Sequence, residues 1–105
     1  MIKHIYKVEE TFEFESGGNI DNLEVAYHTS PFGYSPDKKV IWLCHALTAD
    51  SDPEGSWWPA LVGPGRLIDT EKYFVICANV LGSACGSPSP ASANPKTGKP
   101  YYFDF

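Results

Sequence analysis

Five apolar residues, Val40-Ile41-Trp42-Leu43-Cys44, run without a break into a polar turn that begins His45-Ala46-Leu47-Thr48. The run is too short for a typical helix. Lys38-Lys39 precede it, and Ala49-Asp50-Ser51-Asp52-Pro53 follow the turn, so it predicts a strand. An unbroken apolar strand is expected to be buried on both faces, as in a parallel sheet with helices on either side. Ligands of such sheets gather at the carboxyl ends of the strands. His45 to Thr48 lie at that end and are the first candidates for a functional loop.

Tyr73-Phe74-Val75-Ile76-Cys77-Ala78 predicts a second buried strand, and the two imply a right-handed parallel crossover between them. Within the crossover, residues 56–62 predict a short helix with Ser56 as N-cap, although Pro59 falls at the third helical position rather than the favoured first. Gly63-Pro64-Gly65 stops it, and a short turn covers residues 66–70. Ahead of the first strand, residues 11–16 and 23–29 alternate apolar and polar and predict an antiparallel hairpin. The fold class is therefore α/β: a β-hairpin followed by two parallel buried strands. Residues 82–95 are small, polar and rich in breakers, a long loop of the kind that is functional or disordered, and Gly82 to Gly86 within it reads either as a mobile connection or as the wall of a substrate channel. Lys96 to Pro100 make a turn. The aromatic stretch Tyr101-Tyr102-Phe103-Asp104-Phe105 needs a surface to pack on.

With 105 residues, 43% of them hydrophobic, the chain has enough material for one domain with a core. The net charge is −5 and the bases are scattered, which argues against nucleic acid as a partner. No apolar run reaches membrane length, and residues 1–7 lack the apolar middle of a secretory signal. Three cysteines, an odd number, point to a reducing cytoplasm rather than a disulfide framework. The histidines and cysteines show no paired ligand spacing, so no metal is expected. Cys44-His45 is not read as a nucleophile–base pair, because strand neighbours point to opposite faces. Gly82 to Gly86 lacks the Gly-Lys-Ser/Thr ending of a phosphate-binding loop. Trp57 and Trp58 are read as packing residues.

His45-Ala46-Leu47-Thr48, the block from Trp57 to Gly65, the block from Tyr73 to Ser83 and the block from Asn94 to Tyr101 closely resemble homoserine O-acetyltransferase. They occur in that family's order and extend over roughly residues 23–105. The resemblance implies an α/β-hydrolase fold and transfer of an acyl group from acetyl-CoA to the homoserine hydroxyl, a step in methionine synthesis. It implies no bound cofactor, only acetyl-CoA as co-substrate. The family's nucleophile is a serine on a G-x-S-x-G elbow, completed by Asp and His. This sequence contains no such elbow, so residues 1–105 are expected to be the N-terminal portion of the enzyme, one partial domain that ends before the nucleophile and is inactive alone.

By the same resemblance, the backbone N–H of Leu47 forms half of an oxyanion hole. His45, Ala46, Thr48 and Asn79 are the candidate substrate-binding residues, and His45 is expected to brace the oxyanion loop rather than move protons. Where the family usually reads Cys-Tyr-Gly-Ser-Thr-Gly-Pro, this chain has Ala84-Cys85-Gly86-Ser87-Pro88-Ser89-Pro90, losing an aromatic residue and a threonine. The family's sheet order puts the first hairpin at one side, then residues 73–78, then residues 40–44. The last strand is left with an open edge, which predicts a homo-oligomer. The alternative function is a non-catalytic domain that self-associates or binds a partner.

Overall fold

The computed structural model describes residues 1–83 and 85–101. Among the described residues eight strands form: β1 (Ile2–Lys7), β2 (Phe12–Glu13), β3 (Asn19–Ile20), β4 (Glu24–Thr29), β5 (Val40–Leu43), β6 (Val62–Gly63), β7 (Ile68–Asp69) and β8 (Phe74–Ala78). The main sheet has the order β1-β4-β8-β5. β5 and β8 run parallel, with Val40 opposite Phe74 and Leu43 opposite Cys77. β4 joins β8 antiparallel, with His28 opposite Cys77. The two apolar runs thus become neighbouring parallel strands, and their carboxyl ends lie side by side.

Strand alternation gives the sheet two unlike faces. On one face Leu43, Val75 and Cys77 meet Val62 in a buried cluster, with Ile41, Trp57, Ile68 and Tyr73 packed around it. The opposite face is bare, and Tyr6, Val25, Tyr27, Trp42, Ile76 and Ala78 line a shallow apolar groove there. This corrects the expectation that the strand at residues 40–44 is buried on both faces. Val40 is 53% and Trp42 60% exposed. β5 is the last strand of its sheet, and among the described residues nothing covers that face.

The hairpin is also corrected. β4 pairs with β1 over six residue pairs, from Ile2–Thr29 to Lys7–Glu24. The segment at residues 11–16 contributes only two paired residues, Phe12 with Ile20 and Glu13 with Asn19. Its alternation is real, but both residues of β2 are exposed, and it is Phe14, just beyond, that packs on a core. A second cluster, Ile20, Leu23 and Tyr101, lies beside this region. Tyr101 is therefore buried against its own chain; residues 102–105 of the aromatic terminus lie outside the described residues.

No α-helix occupies residues 56–62. One π-helical turn, Pro53–Trp57, forms instead, and Asp52 caps it by accepting from the Gly55 N–H at 2.9 Å. Its wide bond runs from the Trp58 N–H to the Pro53 carbonyl at 2.7 Å. Pro59 has no N–H with which to extend the ladder, so the turn ends. The Trp57 indole packs on the core cluster and donates to the Asp50 carbonyl at 2.8 Å. Residues 68 and 69, expected in a turn, pair in parallel with β6.

The loop after β8 is anchored at Ser87 and Ser89. Ser87 and Ser89 are buried. The Ser87 hydroxyl accepts from the Ala26 N–H at 3.2 Å and donates to the Asn79 carbonyl at 3.0 Å. It satisfies backbone groups just where the β4–β8 ladder runs out.

Candidate active site

The loop after β5 and the end of β8 emerge together and are tied by hydrogen bonds. The Val80 N–H donates to His45 Nε2 at 3.2 Å. His45 Nδ1 lies 2.8 Å from the Ala46 carbonyl, which can only accept. The ring is therefore neutral, with its proton on Nδ1. The Ala49 N–H donates to the same carbonyl at 2.9 Å and closes the turn. Cys44 and His45 both lie beyond β5, which ends at Leu43, and the imidazole engages backbone on both sides.

Leu47 stands at the tip of this turn and is 94% exposed. Among the described residues none accepts a hydrogen bond from its backbone N–H. Ala46 and Thr48 beside it are exposed as well. The structure thus brings His45, Ala46, Leu47 and Thr48 to the carboxyl end of the parallel pair.

Asn79 is placed differently, at 3% exposure. Its side-chain amide donates to Ser51 Oγ at 2.9 Å and to the Cys85 carbonyl at 2.7 Å. Its backbone N–H donates to the Ala26 carbonyl at 2.9 Å. Both amide hydrogens are engaged within the chain, so Asn79 ties three segments together.

Sequence reasoning did not single out His28, Ser51 or Asp52. Ser51 Oγ accepts from Asn79 and also lies 2.8 Å from His28 Nδ1, where the direction of the hydrogen bond follows the imidazole tautomer. His28 Nε2 then faces the Asp52 carboxylate at 4.0 Å. These residues, with Lys3, Asp50 and Asn79, line an open cavity of about 520 Å³. The signal in the sequence was a histidine on the inward side of an alternating strand, where a polar residue needs a buried partner. The trio has the outline of a Ser-His-Asp triad but not its geometry. At 4.0 Å the Asp52 contact is too long for a hydrogen bond, and Ser51, at 1% exposure, is closed to an acyl carbon.

Burial lowers the His28 pKa below its usual 6.5, with help from the N-terminal ammonium and Lys3, while Asp52 and Asp50 oppose the shift. The folded state therefore binds this proton less readily than the unfolded chain does. Stability held by neutral His28 is complete above pH 6.5 and is lost as pH falls through the folded value. Thermal unfolding between about pH 8 and pH 5 is expected to show a fall in midpoint that is shallower in His28→Gln. Parallel curves for the two proteins would show that His28 carries none of this dependence.

The remaining nucleophile candidates are the thiols, and none is paired in a disulfide. Burial, and then neighbouring Cys44, push the Cys77 thiol up to about 11, which leaves it protonated and inert. Among the described residues no three His, Cys, Asp or Glu side chains gather in a metal-binding group. Among them, too, no helix is long and apolar enough to cross a membrane.

No protein-family model matches the chain. Individual relatives do. The homoserine O-acetyltransferase of Cyclobacterium marinum is 41% identical over 105 residues, which is 100% of this chain and 30% of the relative. The crystal structure of homoserine O-acetyltransferase from Bacillus anthracis superimposes with a TM-score of 0.81 at 33% identity, covering 99% of this chain and 31% of that one. Esterase E22 follows with a TM-score of 0.79 at 28% identity, over 99% of this chain and 32% of its own. These neighbours have the α/β-hydrolase fold. Over its whole length the chain is similar to homoserine O-acetyltransferases, it has the α/β-hydrolase fold in part, and it spans about 30% of the length of the relatives it matches.

Proposed function

We propose that this chain supplies the oxyanion-stabilising segment of an acyltransferase that moves the acetyl group of acetyl-CoA to the homoserine hydroxyl in methionine synthesis. The observation that carries this reading is the unpartnered N–H of Leu47 at the carboxyl end of the parallel pair. When a nucleophile adds to an acyl carbon, the carbonyl oxygen gains negative charge and accepts from such a donor. His45, Ala46 and Thr48 form the surface around it. The serine elbow, the Asp and His of the triad and the second oxyanion donor come from the two-thirds of the family's length outside this match. Acyl transfer through a serine ester needs no bound cofactor, and acetyl-CoA enters as co-substrate. Three unpaired cysteines fit a cytoplasmic setting.

The purified chain is expected to release no thiol from acetyl-CoA in the presence of homoserine. Adding the remaining part of the Bacillus anthracis enzyme is expected to restore release. Turnover by the chain alone would sink this reading, because the nucleophile would then have to lie within these residues.

A second reading, a non-catalytic self-associating domain, is favoured by one feature. β5 is an edge strand, and its Trp42 adjoins the bare apolar face. An open edge beside an uncovered face is a template for a second copy. Light scattering is expected to give a mass above the monomer for the isolated chain and a monomer for Trp42→Glu. A monomeric wild-type chain would count against self-association.

A further inference from the structure

The cavity beside His28 holds charges of both signs that do not meet. We propose that it is a binding site for the head group of a free α-amino acid, whose ammonium faces Asp50 and Asp52 and whose carboxylate faces Lys3. No part of this step uses Leu47, so it stands apart from the acyl-transfer reading.

The sheet sets the site. β1 and β4 place Lys3 opposite His28, and β4 and β8 place His28 opposite Cys77. Cross-strand partners share a face, so Lys3 and His28 lie on the face that carries the core cluster. Asp50 and Asp52, on the segment that follows the β5 turn, line the same cavity. Each charge has capacity left over. Among the described residues nothing pairs with the Lys3 ammonium, which lies beside Gly86, 3.8 Å from where a Cβ would stand. The Asp50 carboxylate uses one oxygen to accept from the Asp52 N–H at 2.8 Å, and Asp52 uses one to accept from the Gly55 N–H at 2.9 Å. The second Asp52 oxygen lies 4.0 Å from His28 Nε2, too far for a hydrogen bond, so both groups remain open to a ligand.

The wall of the cavity is tied in place. Asn79 Nδ2 donates to Ser51 Oγ at 2.9 Å and to the Cys85 carbonyl at 2.7 Å. Asn79 is 3% exposed, and its Oδ1 has no partner among the described residues. Buried acceptors are seldom left without a donor. A ligand ammonium supplies one, once the lip at Cys85 gives enough to admit it.

The charges select the ligand. An anion alone would meet two carboxylates, and a cation alone would meet Lys3. A molecule that carries an ammonium and a carboxylate on one carbon answers both ends with charge-assisted hydrogen bonds. The volume, about 520 Å³, falls among those of small-molecule sites, about 300–1,000 Å³. Residue 85 helps to keep it open, since this chain has Cys85 where the family usually carries an aromatic ring.

The test titrates L-alanine into the ¹⁵N-labelled chain. If the chain needs its complement to fold, the titration uses the complemented enzyme with only this chain labelled. Alanine has no hydroxyl to acylate, so its binding reports the head group alone. The Asp50, Asp52 and Gly86 amide resonances are expected to move together and to saturate, with a Kd of about 1 mM. Propanoate lacks the ammonium and ethylamine lacks the carboxylate, and each is expected to bind at least about tenfold more weakly. Lys3→Met, at an exposed strand position, and Asp50→Asn, which keeps the oxygen that accepts from Asp52, are expected to weaken alanine binding by about tenfold. Cys85→Tyr is expected to weaken it as much by filling the cavity. Resonances that do not saturate, equal binding of the three compounds, or wild-type affinity in Lys3→Met overturns the proposal. In the complemented enzyme, a KM for homoserine that rises in Lys3→Met with kcat unchanged would make the acyl acceptor the occupant, and an unchanged KM would make it a second amino acid. Alanine binding without any acyl transfer by the wild-type assembly would remove the catalytic reading of Leu47 and leave this site in place.

Discussion

Replacing Leu47 with proline is expected to lower kcat of the complemented enzyme by about 10²–10³-fold, the effect of losing one oxyanion donor. Leu47→Ala is expected to leave kcat within about twofold of wild type. The contrast follows from which part of the residue does the chemistry. The leucine side chain is 94% exposed and packs on nothing that its loss would disturb. The N–H is present in leucine and in alanine and absent from proline. Proline also restrains Ala46, so a fold-level control is required. Ala46, Leu47 and Thr48 are all exposed, and the denaturation midpoint of Leu47→Pro is expected to stay close to that of wild type. Measured kcat values that fall equally in the two variants would place the donor on another residue.

The location of the turn from His45 to Thr48 was legible because it follows from strand order, whereas the donor role of Leu47 is what the resemblance implies. Two short apolar runs, each ending in a polar turn, imply parallel neighbours with functional carboxyl ends, and β5 and β8 have that arrangement. The cover on β5 was not legible. Val40 and Trp42 state what their face would accept, and an apolar residue reads the same whether or not something lies over it. β1 was missed for a related reason. Its Lys3, His4 and Lys7 break any clean alternation, yet an outer strand needs only backbone pairing and a half-covered face, and β1 pairs along its whole length. The phenylalanines and glutamates of residues 11–16 gave the cleaner pattern and almost no sheet. The ties from Asn79 to Ser51 and from Ser51 to His28 span 28 and 23 residues. Hydrogen bonds of that reach leave no period in a sequence. Only the buried position of a polar residue hints at them, and that hint depends on knowing which face is inside.

Among those distant contacts, the one between Gly86 and Ala26 is expected to matter most for stability. Gly86→Ala is expected to cost about 2–4 kcal/mol, from a strained backbone and an overpacked contact together. Gly86 has φ of +99°, a conformation that side chains resist. A Cβ built there would lie 2.8 Å from the Ala26 methyl, which is rooted on β4 and fully buried. Neither carbon can swing away, so the loop must lift. Lifting it draws Ser87 off the Ala26 N–H and the Asn79 carbonyl, and it strains the Asn79 amide bond to the Cys85 carbonyl. Gly98→Ala is the matched control, because Gly98 has φ of +69° with nothing within 4 Å of a built Cβ. It is expected to lose only the backbone part, about 1–2 kcal/mol. Chemical denaturation of both variants, and of Gly86→Ala combined with Ala26→Gly, separates the two contributions. Relief of the clash in the double variant should return most of the difference between the single variants. Equal losses at Gly86 and Gly98, with no relief from Ala26→Gly, would mean that the loop is not seated on β4. The hold of Asn79 on the segment from His45 to Ser51 would then have to come from the sheet end alone.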